Sequence, residues 1–218
     1  MAIVKICGLL REDTISSIAH LPIDHIGFVF AKSRRQVTPG QAGTLIRKLG
    51  AERGGQSLPL FFGVFVNPGM DQLAETLREA PLDVIQLHGQ EDAAFCREVK
   101  RRFGVQVYKV FSVREEDDTA ALEQLAAFRG AIDGFLLDTA GGGTGKTFDW
   151  SRIPPFQLWA KEAGIPLLIA GGLDPDNVTD LITRYNPDGV DVSSGVETDG
   201  QKDTDKITAF VERVKACV

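Results

Sequence analysis

Short runs of apolar and β-branched residues recur along the chain at spacings of about 25–30 residues. The segments between them carry apolar positions at helical spacing on a polar background. The runs fall at 3–7, 24–30, 60–66, 84–87, 105–111, 134–137, 166–170 and 189–192, which predicts eight strands. Runs such as FFGVFV and PLLIA are almost continuously apolar rather than alternating, as in parallel strands covered on both faces by helices. Parallel strands need long crossovers, and the intervening segments supply them. TPGQAGTLIRKLGAERG at 38–54 has Pro just inside its start and Gly at its end. DPDNVTDLITRY at 174–185 opens with an aspartate suited to capping, and DTDKITAFVERVKACV at 203–218 has the same periodicity. Eight strand-plus-helix units average ~27 residues each, close to the minimum for a (β/α)8 barrel, and predict one compact barrel domain over residues 1–218. An open doubly wound sheet of about five to seven strands also satisfies the alternation, but the count favours the barrel.

Composition narrows the function classes. With 43% hydrophobic and 25% charged residues the chain can bury a sizeable core, which argues against disorder or a disulfide-stapled miniature. The net charge of -6 provides no electrostatic excess for nonspecific binding of nucleic acid or an anionic membrane. The apolar runs stop far short of the roughly 20 residues that span a bilayer, and Lys5 and Arg11 interrupt the amino terminus, so neither a membrane span nor a signal segment is expected. Three cysteines, Cys7, Cys96 and Cys217, are odd in number and widely spaced, without metal-ligand spacing to the three histidines. A soluble cytoplasmic protein without a structural metal follows.

Several strand ends carry residues suited to chemistry. KICG at 5–8 puts Cys7 at the carboxyl end of the first strand. A lone strand cysteine is most often core filler, but at a barrel mouth a thiol can serve as base or nucleophile. Cys96 and Cys217, on predicted helices, keep the structural reading. In FLLDTAGGGTGKTFDW at 135–150, Asp138 ends the sixth strand and a glycine run follows. AGGGTGKT fits a relaxed phosphate-loop pattern with Ala140 in the first glycine position. Such a loop must open straight into a helix, however, and Pro154 and Pro155 prevent a long helix from continuing out of Lys146. A substrate lid is the better reading of this stretch. IAGGLDPDNV at 169–178 and GVDVSSGVET at 189–198 present Gly171, Gly172, Ser193, Ser194 and Gly195 after strands seven and eight, where barrels often hold a phosphate on backbone N–H groups; such a cradle needs no Lys or Arg. In AKSRRQVTP at 31–39, Arg34 or Arg35 can clamp a carboxylate through its planar fork, and His88 of QLHG sits at the same mouth.

Taken together, KICG, SRRQVTP, VGVFVN, DVIQLHG, LLDT with GGTGKTFDW, IAGGLDPDNV and DVSSGVE resemble the phosphoribosylanthranilate isomerases of tryptophan biosynthesis, over residues 3 to about 206. The resemblance implies a (β/α)8 barrel that converts N-(5'-phosphoribosyl)anthranilate to 1-(2-carboxyphenylamino)-1-deoxyribulose 5-phosphate by an Amadori rearrangement, as a monomer or homodimer, without metal or cofactor. It also implies that Cys7 is the general base and Asp138 the general acid. Arg35 would face the anthranilate carboxylate, His88 and Asp191 would complete the substrate site, and the last two loops would hold the phosphate. This chemistry calls for an acid kept partly neutral by burial and a thiol more acidic than usual. The sibling sugar-phosphate isomerase of histidine biosynthesis would carry an aspartate in place of Cys7. Indole-glycerol-phosphate synthase and ribulose-phosphate epimerase would call for Lys or metal-binding His groups at these strand ends. A silent sugar-phosphate sensor would keep the glycine loops without needing Cys7 and Asp138 together.

Overall fold

The computed structural model describes residues 1–113, 118–139 and 147–217. The eight expected runs are all strands: β1 (Ile3–Cys7), β2 (His25–Val29), β3 (Leu60–Phe65), β4 (Val84–Leu87), β5 (Gln106–Val113), β6 (Gly134–Thr139), β7 (Leu167–Ile169) and β8 (Gly189–Val192). Each pairs in parallel with the next, and β8 pairs back onto β1, with Ile3 opposite Gly189 and Lys5 opposite Asp191, so the sheet is a closed barrel and not the open alternative. The helices α1 (Glu12–Ile18), α2 (Pro39–Arg53), α3 (Met70–Glu79), α4 (Ala93–Phe103), α5 (Asp118–Ala126), α6 (Ile153–Ala163), α7 (Val178–Tyr185) and α8 (Thr204–Ala216) return the chain between strands and follow the last one. Among the described residues no helix is long and apolar enough to cross a membrane.

Local chemistry sets several of these boundaries. Thr38 caps α2 in a reciprocal box with Gln41, Pro39 fills the first helical position, and Gly54 ends the helix in the left-handed region. Pro154 and Pro155 occupy the first turn of α6, where their missing N–H groups cost nothing, so a new helix starts there instead of one running on from Lys146. The opening of α7 corrects the sequence expectation. The residue at the cap position is Asn177, while the Asp174 carboxylate accepts from the N–H groups of Asp176 and Asn177 and shapes the turn before the helix. The sequence reading also missed a two-stranded hairpin after β8, β9 (Glu197–Thr198) with β10 (Gln201–Lys202). Its two turn residues, Asp199 (φ 50°) and Gly200 (φ 78°), are both left-handed, as a tight hairpin turn of this twist requires.

Side chains alternate across the barrel wall. One set joins the helices in the main core, and the inward set includes Phe62, Val84, Tyr108, Val110, Leu136, Leu168 and Ala170, which fill the barrel interior. Toward the carboxyl ends of the strands the inward positions turn polar: Lys5 and Cys7 on β1, Gln86 on β4, Asp138 on β6 and Asp191 on β8. A packed floor therefore lies beneath a polar cup.

Candidate active site

The cup is a cavity of about 460 Å³ whose lining includes Cys7, Arg35, Gln86, His88, Asp138, Asp191 and Ser193. Five of the strand-end residues expected from the sequence, Cys7, Arg35, His88, Asp138 and Asp191, therefore share one compartment with Ser193 of the last loop. The expected lid, residues 140–146 with Ala140 and Lys146, lies outside the described residues.

Cys7 has room because its neighbour on β2 has no side chain. A Cβ at Gly27, its register partner, would stand 2.7 Å from the Cys7 sulfur. Gly8, at φ 81°, follows the thiol into the left-handed region and lets the alkyl chain of Arg35 pass, since a Cβ there would sit 2.6 Å from Arg35 Cδ. Gly27→Ala should therefore push the thiol aside without opening the barrel, because the sulfur is the movable end of a side chain. The expected result is a loss of about tenfold or more in kcat/KM with Tm changed by less than about 5 °C, checked by steady-state kinetics beside thermal unfolding.

Asp138 is buried at the end of β6, with Oδ1 accepting from the Thr139 N–H at 2.7 Å and Oδ2 3.5 Å from His88 Nε2. Burial is the main cause that pushes its carboxyl up to about 6 from the ordinary 3.8. The Thr139 hydrogen bond works against that shift, and the charge of Asp191 adds to it. His88 moves the other way: burial and then the Lys109 charge lower its pKa, so the imidazole facing Asp138 is neutral. Across the cup Cys7 departs from the sequence expectation. Its thiol is pushed up, not down, because burial outweighs the cations Lys5, Lys202 and Arg35, and Asp191 opposes them further. In the free protein the thiol is the protonated member of the pair.

The two glycine loops interlock beside the cup. Gly171 and Gly172 have φ of 82° and 65°, and a Cβ on Gly171 would collide with Thr139 and approach Asp138 Oδ1 to 2.9 Å. Gly195, in the tight turn Ser194–Val196, leaves no space for a Cβ, which would sit 1.9 Å from the Leu173 carbonyl oxygen. Ser193 Oγ donates to the Cys7 carbonyl at 3.1 Å and so ties the last loop to the first strand.

Some functional groups escaped the sequence reading. Glu197, at the start of β9, accepts from Arg35 Nε (2.6 Å) and Nη2 (3.0 Å), from Arg34 Nη2 (2.5 Å) and from Lys202 Nζ (3.0 Å). Three cations meet one carboxylate, which leaves positive charge at the rim. Lys202 also donates to the Ser193 carbonyl at 2.7 Å, so a buried ammonium does stand at the loop expected to need none. Burial alone would raise the Glu197 pKa, but the Arg35 hydrogen bond and Lys202 outweigh it and keep the carboxylate ionised. The Asp199–Gly200 turn was the available signal for this hairpin. Deeper in the cup, Gln86 is buried with its Oε1 unpartnered among the described residues, and Lys5 is fully buried with Nζ 2.9 Å from Asp191 Oδ1.

Comparison with known proteins places this geometry in context. The family model described as N-(5'phosphoribosyl)anthranilate (PRA) isomerase matches residues 4–213. An N-(5'-phosphoribosyl)anthranilate isomerase of Brevibacillus brevis is 46% identical over 220 aligned residues, covering 99% of this chain and 95% of the relative. A solved structure of generated monomers of the dimeric phosphoribosylanthranilate isomerase of Thermotoga maritima superposes with a TM-score of 0.79 at 34% identity, covering 99% of this chain and all of that one. A second isomerase structure, in complex with reduced 1-(o-carboxyphenylamino)-1-deoxyribulose 5-phosphate, superposes with a TM-score of 0.79 at 33% identity and the same coverage.

Proposed function

The chain belongs to the N-(5'-phosphoribosyl)anthranilate isomerase family; from that membership and the polar cup we propose how its own residues isomerise N-(5'-phosphoribosyl)anthranilate to 1-(2-carboxyphenylamino)-1-deoxyribulose 5-phosphate. The observation that carries the assignment is the pairing of Asp138 and Cys7 in one cavity, a carboxyl that burial keeps partly protonated and a thiol whose ionised form can accept a proton.

The protonated Asp138 carboxyl donates to the furanose ring oxygen as the bond from that oxygen to carbon 1 breaks, which leaves an open-chain iminium. The Cys7 thiolate then takes the proton from carbon 2, and the electron pair of that C–H bond neutralises the iminium to give an enolamine. The carbon 2 hydroxyl gives its proton to the Asp138 carboxylate and carbon 1 takes the proton held by the Cys7 thiol, which completes the ketone and returns both groups to their starting states, so the net change is an isomerisation. Both transfers use groups of this chain alone, on a small phosphoribosyl substrate. The neutral His88 lies against Asp138 and keeps no positive charge beside it, which preserves the proton on the acid.

The substrate carries two anionic groups. Glu197 holds one edge of the Arg35 fork, and the rest of that guanidinium serves the anthranilate carboxylate. Gly171, Gly172, Ser193, Ser194 and Gly195 form the phosphate cradle, whose charge Lys202 complements from behind. Freshly prepared phosphoribosylanthranilate supplied to the purified protein should disappear with a change in its fluorescence at an enzyme-dependent rate. A rate equal to that without enzyme would overturn the reading.

A further inference from the structure

The mechanism above leaves the buried cation Lys5 without a task. Lys5 is fully buried inside the barrel, its Nζ 2.9 Å from Asp191 Oδ1 and 5.1 Å from the centroid of the Phe62 ring. Burying an ammonium and a carboxylate costs several kcal/mol per ion before their attraction is counted, and an apolar pair of similar volume commonly does as well for stability. A packed floor of Phe62, Val84, Leu136 and Leu168 lies close by, so the barrel had an apolar solution available. The place of the ion pair is specific. Lys5 and Asp191 are register partners across the β1–β8 seam, and Lys5 precedes Cys7 by two residues on the same inward face, about 7 Å back along the strand.

We propose that Lys5 and Asp191 are a positioning pair for the Cys7 base: the Lys5 ammonium is the positive charge against which the thiolate forms, and Asp191 sets how much of that charge the sulfur feels. The inference rests on the reading of Cys7 as the base. When the base is made, the S–H bond breaks, its electron pair stays on sulfur, and the proton leaves to water through the open mouth of the cup. Among the described residues, the charged and titratable groups around the sulfur are Lys5 and Asp191 on β1 and β8, Lys32 and Arg35 from the loop after β2, Lys202 from the hairpin after β8, and Asp138 and His88 from the cavity wall. Of these cations, Arg35 and Lys202 are engaged with Glu197. Lys5 is the cation that exerts the largest effect on the thiol, and burial disfavours its ammonium less than Asp191 and Cys7 favour it, so the charge persists.

The test is the pH dependence of Cys7 alkylation by iodoacetamide, followed by mass spectrometry of the Cys7 peptide so that the half-buried Cys217 does not interfere. The two single variants should move the midpoint in opposite directions. Lys5→Met should raise it by about one pH unit or more, and Asp191→Asn should lower it by a similar amount. A structural role for the pair would loosen the cup in both variants and shift both midpoints the same way, so a common direction, or no shift in either, overturns the proposal. If Lys5→Met alone does not fold because Asp191 is left buried and unpaired, the double variant Lys5→Met/Asp191→Asn is compared with Asp191→Asn. The double should titrate higher, and an equal or lower midpoint overturns the proposal equally. The measurement needs no turnover, so its failure leaves the Cys7 assignment standing, whereas a fully active Cys7→Ala protein removes that assignment whatever the titration gives.

Discussion

Replacing Cys7 with alanine should lower kcat/KM by ~10²–10⁴-fold, the usual contribution of a positioned proton-transfer group, while the barrel stays folded. The side chain lost is small, a single sulfur atom that fills the space beside Gly27, so thermal unfolding should move little. Cys7→Ser should not rescue the rate, since a hydroxyl is far harder to ionise than a thiol. Turnover within about threefold of the parent protein in either variant would exclude Cys7 as the base. The pH profile of kcat/KM adds a sharper test. In the proposed mechanism the working form has Asp138 protonated and Cys7 ionised, yet Asp138 titrates at about 6 and the thiol above its ordinary 9.0. At neutral pH only a small, pH-independent fraction of molecules is in that form. The profile should be flat between the two values, fall below about pH 6 where Asp138 titrates, and fall again in the alkaline range where the thiol does.

Asp138→Asn should cost a similar ~10²–10⁴-fold in kcat/KM, replace the break near pH 6 by a rise that continues into the alkaline range where the thiol titrates, and at the same time stabilise the protein. The carboxyl is harder to ionise folded, at about 6, than unfolded, at about 3.8. Ionisation therefore favours the unfolded chain. The penalty is absent below pH 3.8, grows through the interval up to 6 and is complete above it, with a magnitude on the order of 3 kcal/mol. An asparagine pays none of it. Compared with the parent protein, the variant should melt about 5 °C or more higher at pH 8 and at the same temperature at pH 4, by calorimetry or circular dichroism. Equal Tm values at pH 8 would mean that Asp138 is not held in a dry environment.

The legible and illegible parts of the molecule separate by cause. Strand positions were readable because a buried parallel strand leaves a continuous apolar run, and Cys7, Asp138 and the two glycine loops stood out because each terminates such a run. Lys5 was read only as an interruption of the amino terminus. The signal was that it shares its strand face with Cys7, and closure of the barrel was needed to bring Asp191, 186 residues away, to its ammonium. The Arg35–Glu197 contact spans 162 residues and depends on the same closure. The charge state of the thiol could not be anticipated, because the sequence lists cations near a strand end but not the burial that outweighs them.

The seam between β1 and β8 has a consequence for synthesis. Cys7 and Lys5 are synthesised some 186 residues ahead of Asp191 and of the loop that ties Ser193 to the Cys7 carbonyl. A nascent polypeptide that has not yet reached β8 therefore exposes the unpaired edge of β1 and possesses no working cup. Translation has to pass β8 before any copy turns over, so products terminated ahead of it should be catalytically silent and prone to sticking together along that open edge.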